Sequence, residues 1–270
     1  MGKPPVVLSI AGYDPSSGAG ITADIKTAAA LGCYAVTCMT AATVQSTQGV
    51  FGVQALEPEL VVRTLNTLAD DFDIGAVRIG MLGTGAVAGV VSGFLASRRL
   101  PNVVLDPVIR SSSGAALLDE IGLEMLRGLL PLCEVVTPNV DEAAELAFTE
   151  ALGSSATWEA ALPWLRNAAA RLHDLGARSV VITGGHLPSA NDYLSSKGPA
   201  GGREEVIPGE RIESRSTHGT GCAFATAVAC HLAKGMELPQ AVRVAKEFVA
   251  RAIRSAYPLG KGAGPVNHFG

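Results

Sequence analysis

The chain has 270 residues, of which 48% are hydrophobic and 5% aromatic, and its formal net charge is −4. This length and hydrophobic content predict one α/β domain that spans residues 1–270. The acidic balance argues against nucleic acid or an anionic membrane as a partner. The five cysteines are scattered and lack metal-ligand spacing. With neither an export signal nor an apolar run of about 18 residues, we expect a cytoplasmic protein.

Short apolar runs alternate with segments of helical periodicity along most of the chain. The predicted strands are 6–11, 34–42, 76–79, 102–105, 134–137 and 179–183. The predicted helices are 21–32, 59–70, 86–98, 120–130, 139–148, 158–175 and 240–257, with one more inside 216–235. This alternation is typical of a parallel sheet with helices on both faces, whose active site lies beyond the carboxyl ends of the strands.

The segment 186–215 interrupts this alternation because it is polar and rich in proline and glycine. We predict a β-hairpin or flap here, with the sequence GPAGG at 198–202 as its mobile tip. The chain contains no internal repeat and no linker long enough to divide it into domains.

The loop after the first predicted strand contains Gly18, Gly20 and Ala23 at the spacing of a dinucleotide-binding fingerprint. That fingerprint also needs an acidic residue about 20 positions later to bind the ribose. The segment 40–50 contains no Asp or Glu, and the GxxxxGK[ST] pattern of P-loop proteins is absent from the chain. The sequence therefore argues against an NAD(P) site and against a P-loop nucleotidase.

The stretch 216–235 begins with a glycine loop, in which Gly219 and Gly221 bracket Thr220. The apolar positions that follow have helical spacing and are Phe224, Val228 and Leu232. Loop amides at the positive end of a helix dipole can hold phosphate oxygens. Cys222 lies at the start of this helix, so we expect the dipole to lower its pKa and make it a base or nucleophile. The stretch alone fits a plain turn with Cys222 as a core residue equally well.

Polar side chains follow two other predicted strands. Asp106 precedes Pro107, which keeps the backbone before it extended and aims the carboxylate outward. Asn139 and Glu142 lie three residues apart at the start of a helix, and such oxygen ligands suit hydrated Mg²⁺ on a nucleotide phosphate. The same spacing is that of a helix cap, with Glu142 completing a capping box, and on spacing alone we favour the cap.

The turn Gly184–Gly185 follows a strand and is a candidate to lie beneath a phosphate or an adenine. Lone glycine pairs are weak signals. His186 and His218 fit structural or loop histidines better than metal ligands, because neither has a second histidine at ligand spacing.

Nine segments together resemble the hydroxymethylpyrimidine and phosphomethylpyrimidine kinases of thiamin biosynthesis, members of the ribokinase-like superfamily, and they occur in that family's order. The segments are SIAGYDPSSGAGITADIKTAAALG, TAATVQSTQGV, IGMLGT, VVLDPV, SSSG, TPNVDEAAEL, TGGH, THGTGC and KGAGPVNHF. The resemblance implies a three-layer α/β/α fold with a mainly parallel sheet and a small flap, usually assembled as a dimer. It also implies transfer of the γ-phosphoryl group of ATP, with Mg²⁺, to a pyrimidine hydroxymethyl group and then to the monophosphate.

By this resemblance Gly219, Thr220 and Gly221 form an anion hole. Cys222 occupies the place where sugar kinases of the superfamily carry a catalytic Asp, and it can accept the hydroxyl proton. Asp106 and Glu142 become metal-binding positions, which reverses the preference for a mere cap.

The resemblance places Gln45 at the position that contacts the pyrimidine, where a side-chain amide can both donate to and accept from an aminopyrimidine edge. The other positions that resemble the substrate pocket are Gly12, Gly20, Asp24, Met81 and Val108. Met81 favours the smaller pyrimidine, because members that phosphorylate pyridoxal tend to be polar at this position.

The implied nucleotide-binding positions are Asn139, Thr183, Gly185, His218 and Lys246. Thr183 departs from the family, which commonly has KGGH where this chain has TGGH. We expect Lys246 and the anion hole to compensate for the missing cation. Two alternatives stay open. One is a pyridoxine or pyridoxal kinase. The other is a non-catalytic pyrimidine-binding module, and the departure at Thr183 is the only feature that supports it.

Overall fold

The structure is a computed structural model that describes residues 2–111, 114–153, 155–198 and 202–270. The strands are β1 (Val6–Tyr13), β2 (Tyr34–Ser46), β3 (Gly49–Ala55), β4 (Ile74–Ile79), β5 (Val103–Leu105), β6 (Val135–Val136), β7 (Ser179–Ile182), β8 (Asp192–Ser196) and β9 (Arg203–Ile207). The helices are α1 (Gly20–Ala30), α2 (Pro58–Asp71), α3 (Gly85–Arg98), α4 (Glu120–Leu129), α5 (Val140–Ala147), α6 (Trp158–Asp174), α7 (Thr220–Ala233) and α8 (Leu238–Arg254). All predicted helices and strands are confirmed, with bounds that differ by a few residues. Among the described residues, no helix is long and apolar enough to cross a membrane.

The strands form a nine-stranded sheet with the order β3-β2-β1-β4-β5-β6-β7-β8-β9. The six central strands, in the order β2-β1-β4-β5-β6-β7, are parallel to one another. At the edges, β3 pairs antiparallel with β2, β8 with β7, and β9 with β8. The chain order reverses at β1, which lies between β2 and β4. Ligands bind α/β sheets at such a switch point, beyond the carboxyl ends of the strands.

Helices cover both faces of this sheet, and successive residues of a strand supply the two cores. On β1, Leu8 and Ile10 pack with α2, α3, α5 and α6, whereas Val7 packs on the opposite face with α1, α7 and α8. The predicted apolar positions of α7, Phe224 and Val228 among them, are buried in this second core. The three-layer α/β/α fold is therefore confirmed.

The sequence predicted the strands at one edge of the sheet and missed the strand at the other edge. The predicted hairpin within 186–215 is confirmed as β8 and β9, which extend the main sheet. Of its predicted mobile tip, residues 199–201 lie outside the described residues. The strand β3 was not predicted, because two glycines interrupt the alternation of its sequence GVFGVQA. Its pairing with β2, which continues to Ser46, forms this strand despite its weak propensity.

The two glycines after β7 provide a test of the packing at this edge. A Cβ at Gly184 would lie 1.9 Å from the carbonyl oxygen of Asn191, whereas one at Gly185 would meet nothing within 4 Å. We therefore expect Gly184→Ala to lower the free energy of unfolding by about 1–3 kcal/mol through overpacking. Gly185→Ala should leave it within about 0.5 kcal/mol of wild type. Urea denaturation of both variants checks this, and equal stabilities would contradict the packing at Gly184.

Candidate active site

A cavity of about 460 Å³ opens beyond the carboxyl ends of the parallel strands. Side chains from the ends of successive strands line it, namely Asp14, Gln45, Met81, Asp106, Asn139 and Thr183. The first turn of α7 completes the lining. The cavity therefore lies where the sequence predicted the active site.

The first turn of α7 brings uncapped backbone to this cavity. Gly219 is its N-cap residue, with φ +83°, and within the described part of the chain no side chain bonds to this cap. A Cβ at Gly219 would lie 1.8 Å from the carbonyl oxygen of Gly18, so glycine is required here. Thr220, Gly221 and Cys222 follow and line the cavity. Because amides at a helix start lack intrahelical partners, this turn can receive phosphate oxygens.

The Cys222 thiol lies among charged groups rather than in an open loop. It contacts Arg78 and Asp106, and the backbone amide of Gly20 donates to it. Burial raises the pKa of the Cys222 thiol to about 12; Arg78 opposes this increase, and the charges of Asp106 and Asp24 add to it. The predicted lowering by the helix dipole is therefore wrong for the ligand-free protein, whose resting group is a thiol.

Below the thiol lies an ion triad, formed by Arg78, Asp24 and Asp106, that the sequence analysis did not identify. Arg78 is wholly buried; its Nη1 donates to Asp24 Oδ2 at 3.1 Å, and its Nη2 to Asp106 Oδ2 at 2.5 Å. The hydroxyls of Ser9 and Thr226 donate to the same Asp24 carboxylate, at 2.6 and 2.7 Å. Asp24 is wholly buried and does not line the cavity. The prediction that Asp24 binds substrate is therefore corrected, since its carboxylate neutralises Arg78 instead.

Asn139 and Glu142 form the helix cap and also line the cavity. The Asn139 side chain accepts from the Glu142 amide, and Glu142 Oε2 accepts from the Asn139 amide, each at 2.9 Å. Burial raises the pKa of Glu142 to about 8, and the charge of Asp106 acts in the same direction. No cluster of three His, Cys, Asp or Glu side chains suited to a metal occurs in the described ranges. The carboxylates of Asp106 and Glu142 repel each other across the cavity, and such a pair suits Mg²⁺. This cation takes few protein ligands and completes its coordination shell with water and phosphate.

The remaining predicted substrate positions do line the cavity, and they fit closely together. They are Gly12, Gly20, Gln45, Met81 and Val108. A Cβ at Gly12 would lie 2.8 Å from the Met81 sulfur, so this glycine allows Met81 to lie against the β1 backbone. Met81 packs with Ala41 and Leu117, and Val108 lies against this cluster. One wall of the cavity is therefore apolar, while Gln45 supplies a polar group.

The predicted nucleotide-binding residues separate into two groups. Thr183 and Asn139 line the cavity, whereas Gly185 is exposed and does not. Lys246 does not line it either, because its Nζ is held by Asp192 Oδ2 at 2.7 Å and by a backbone carbonyl. This corrects the expectation that Lys246 compensates for the cation missing at Thr183. Asp192 in turn accepts from the Gly184 amide, so this ion pair braces the β7–β8 turn.

His218 lines the cavity beside Asp14 and Gln45. Its Nε2 lies 2.8 Å from Asp14 Oδ2 and 3.2 Å from the amide nitrogen of Gln45. Asp14, which the sequence analysis missed, also accepts from the backbone of Ser16 and Ala19. Two signals could have identified the missed residues. Asp14 opens the turn sequence DPSSG, and Arg78 lies inside an apolar strand, where a buried charge requires partners.

In the nucleotide-free protein we expect Cys222 to react slowly with iodoacetamide at pH 7. Because only the thiolate reacts, the rate should rise about tenfold per pH unit up to about pH 10. Timed alkylation followed by peptide mass spectrometry measures Cys222 separately from the four buried cysteines. Free glutathione in the same mixture serves as the reference thiol. A rate at Cys222 that levels off below pH 9 would contradict the raised pKa.

Comparison with known proteins agrees with this geometry. Residues 14–267 match the family model described as Phosphomethylpyrimidine kinase. The hydroxymethylpyrimidine/phosphomethylpyrimidine kinase of Streptomyces coelicolor is 43% identical, over 98% of this chain and 94% of that protein. The crystal structure of phosphomethylpyrimidine kinase from Clostridium difficile has a TM-score of 0.79 and 31% identity, over 92% of this chain and 99% of that chain. The ADP complex of Bacillus subtilis pyridoxal kinase has a TM-score of 0.86 and 34% identity, over 98% of both chains. The chain therefore belongs to the phosphomethylpyrimidine kinase family.

Proposed function

We propose that this chain is a cytoplasmic kinase that uses ATP and Mg²⁺ to phosphorylate 4-amino-5-hydroxymethyl-2-methylpyrimidine and then its monophosphate, in thiamine biosynthesis. One observation carries the proposal. The uncapped start of α7, with Cys222 in its first turn, shares one cavity with the amide of Gln45. The cavity thus combines a place for phosphate oxygens, a group near the reacting hydroxyl and a group that can recognise a pyrimidine edge.

Phosphoryl transfer needs in-line placement and charge stabilisation more than covalent chemistry. The Gly221 amide is proposed to stabilise the charge on the transferred group, and the Thr220 amide would join it by leaving its 3.4 Å bond to the Thr217 carbonyl. Cys222 lies next to them and is the proposed acceptor of the hydroxyl proton. Because the resting thiol already carries a proton, Cys222 must first lose that proton to solvent, and Arg78 favours the thiolate that results. The thiolate would then take the hydroxyl proton late, as the oxygen–phosphorus bond forms and the bond from the γ-phosphorus to ADP breaks.

Asp106 and Glu142 are the residues that would hold Mg²⁺, with Asn139 beside the nucleotide phosphates. The cation, when bound, would neutralise phosphate charge. It would also relieve the repulsion from Asp106 that adds to burial in raising the pKa of Glu142 to about 8. With Thr183 at the position of the family's lysine and Lys246 held by Asp192, the anion hole is the remaining protein group proposed to receive the phosphates.

Pyridoxal phosphorylation is the second candidate, favoured by the similarity to the pyridoxal kinase of Bacillus subtilis, with its TM-score of 0.86. The apolar wall formed by Met81 and Val108 favours the pyrimidine instead. Pyridoxal carries a ring hydroxyl that needs a hydrogen-bonding partner, which a thioether supplies only weakly.

Mass spectrometry of reactions with ATP and Mg²⁺ tests this assignment. We expect the pyrimidine alcohol to gain two phosphates in turn, and pyridoxal to react with a kcat/KM about 10–200-fold lower. Pyridoxal as the better substrate would overturn the assignment. Pyrimidine binding without consumption of ATP would establish the non-catalytic alternative.

The same assay tests Cys222. Cys222→Ala should lower kcat about 10²–10⁴-fold while leaving pyrimidine affinity unchanged, because the proton acceptor is lost and the pocket is not. Cys230→Ala is the matched control, since Cys230 is a buried cysteine further along α7 that does not line the cavity. Full turnover by Cys222→Ala would remove this residue from the mechanism.

We further propose that the chain forms a homodimer through the β2–β3 hairpin. The hairpin lies at one edge of the sheet and exposes Val44, Phe51 and Val53, with Phe51 70% accessible. Exposed apolar side chains on a free strand edge are typical of a surface that another chain covers.

Light scattering should give a mass twice the 27.6 kDa of one chain for the wild type. Phe51→Glu should shift this mass toward one chain, because a buried carboxylate without a partner opposes association. Phe269→Glu is the control, since Phe269 is equally exposed, at 69%, in the C-terminal tail. A monomeric wild type, or a Phe51→Glu protein that stays dimeric, would contradict the proposed interface.

A further inference from the structure

Three side chains connect the substrate side of the cavity to the loop before α7. Asp14 comes from the end of β1, Gln45 from β2, and His218 directly precedes the N-cap residue of α7. The side chains of His218 and Asp14 are only 11% and 4% exposed. The His218 Nε2 atom is shared, since it lies within hydrogen-bonding distance of both Asp14 Oδ2 and the Gln45 amide.

The surroundings of Asp14 decide where the proton on His218 resides. The amides of Ser16, Gly18 and Ala19 and the hydroxyl of Ser16 all donate to the Asp14 carboxylate. Although burial raises the pKa of Asp14, the hydrogen bonds from His218 and Ser16 outweigh it and lower that pKa below its usual value. An ionised carboxylate only accepts hydrogen bonds. His218 Nε2 must therefore carry a hydrogen and donate it to Asp14.

A protonated Nε2 in turn decides which end of the Gln45 amide faces it. In the structure the amide nitrogen lies 3.2 Å from Nε2, which would place two donors together. Because the two ends of an amide are assigned from their hydrogen bonds, we reverse it, so that the amide oxygen shares the Nε2 hydrogen with Asp14. The amide nitrogen then faces Thr43 Oγ1, which lies 3.0 Å from the other end of the amide. Thr43 donates its own hydrogen to the Tyr13 carbonyl at 3.0 Å, so its oxygen is free to accept. Each contact between these side chains then joins a donor to an acceptor, and the second N–H of Gln45 faces the cavity.

We propose that His218, held by Asp14, is a positioning residue that fixes the Gln45 amide with its oxygen toward the imidazole and thereby sets substrate specificity. The amide keeps one N–H and one oxygen lone pair for the cavity. A ring edge that presents an acceptor nitrogen beside an exocyclic amino group matches this pair, and an edge without the amino group leaves the lone pair unmatched. This inference rests on the proposed function, whose pyrimidine substrate carries such an edge.

The position of His218 is fixed by packing as well as by hydrogen bonds. A Cβ at Gly18 would lie 2.2 Å from the imidazole Cδ2, so the ring packs directly on this backbone. The backbone of His218 also pairs with the C-terminal tail, donating to the Gly264 carbonyl and accepting from the Val266 amide. Gly219 follows immediately as the N-cap of α7. The residue that orients Gln45 thus belongs to the same loop as the anion hole.

Two pairs of variants test the positioning role. His218→Gln keeps an N–H donor near the position of Nε2, whereas His218→Leu removes it at similar size. Gly18→Ala displaces the imidazole without removing it. Gly89→Ala is its control, because a Cβ at Gly89 would meet nothing within 4 Å and this residue lies in α3, outside the cavity lining.

The measurement is the affinity of nucleotide-free protein for the aminopyrimidine alcohol and for its analogue without the amino group, by titration calorimetry. We expect His218→Leu and Gly18→Ala to lose about tenfold of the wild-type preference for the amino compound, and His218→Gln and Gly89→Ala to keep it. In steady-state assays the loss should appear in KM, with kcat changed less than about threefold. In a Gln45→Leu background, His218→Leu should cause no further loss.

A wild-type preference that survives in His218→Leu, or an equal loss in His218→Leu and His218→Gln, would overturn the positioning role. An additive loss in the Gln45→Leu background would do the same. The binding measurement needs no turnover, so wild-type protein that discriminates without consuming ATP would overturn the proposed kinase activity alone. Wild-type protein that binds neither compound would overturn both.

Discussion

The floor of the cavity depends on one buried guanidinium. Arg78 on β4 lies between Asp24 of α1 and Asp106 beyond β5, and the bonds from Ser9 and Thr226 connect β1 and α7 to the same centre. A Cβ at Gly80 would lie 2.1 Å from the guanidinium, so glycine at position 80 makes room for the Arg78 side chain. Removing one partner of a buried ion pair costs about 3–5 kcal/mol, because the other charge is left uncompensated. The positions of Asp106 and Cys222 therefore both depend on this triad.

The triad also explains the behaviour of Cys222. A helix dipole stabilises a nearby charge by about 0.3–1 kcal/mol at exposed sites. Cys222 must instead form its thiolate in a partly buried site beside Asp106 and Asp24, with an Arg78 whose charge those two carboxylates already share. Desolvation and repulsion exceed the dipole effect, and the pKa rises to about 12. A thiol held in this form resists alkylation and oxidation, which follow thiolate character. The same raised pKa means that Cys222 must lose its thiol proton before it can act as the proposed proton acceptor.

The sequence predicted what depends on local pattern and missed what depends on contacts distant in the chain. Periodicity predicted the helices and the strands β1, β2 and β4 to β7, and the composition of 186–215 predicted the β8–β9 hairpin. The family resemblance named Gln45 and Cys222, which line the cavity. Arg78 and Asp24 are 54 residues apart, and Asp14 and His218 are 204 apart, so spacing carries no sign that either pair meets. For the same reason, motif resemblance assigned Asp24 to the substrate and Lys246 to the nucleotide, although Asp24 pairs with Arg78 and Lys246 pairs with Asp192. A charged residue in a motif indicates that the fold needs a charge there, and only its partner in space tells whether that charge faces a ligand.

Lys246 shows what this distinction implies for phosphate recognition. Its ammonium is bound to Asp192 and a backbone carbonyl, and moving it to a nucleotide would leave the buried Asp192 carboxylate without its cation. The proposed anion hole has a smaller penalty, because its amides are fixed by the fold and Thr220 would give up only a 3.4 Å bond to the Thr217 carbonyl. Gly219 brings this backbone against the Gly18 carbonyl, and His218 holds the loop beside it to Asp14 and Gln45. The loop proposed to receive phosphate is consequently also the loop proposed to fix the Gln45 amide, and a single residue of backbone separates His218 from the helix start at Thr220.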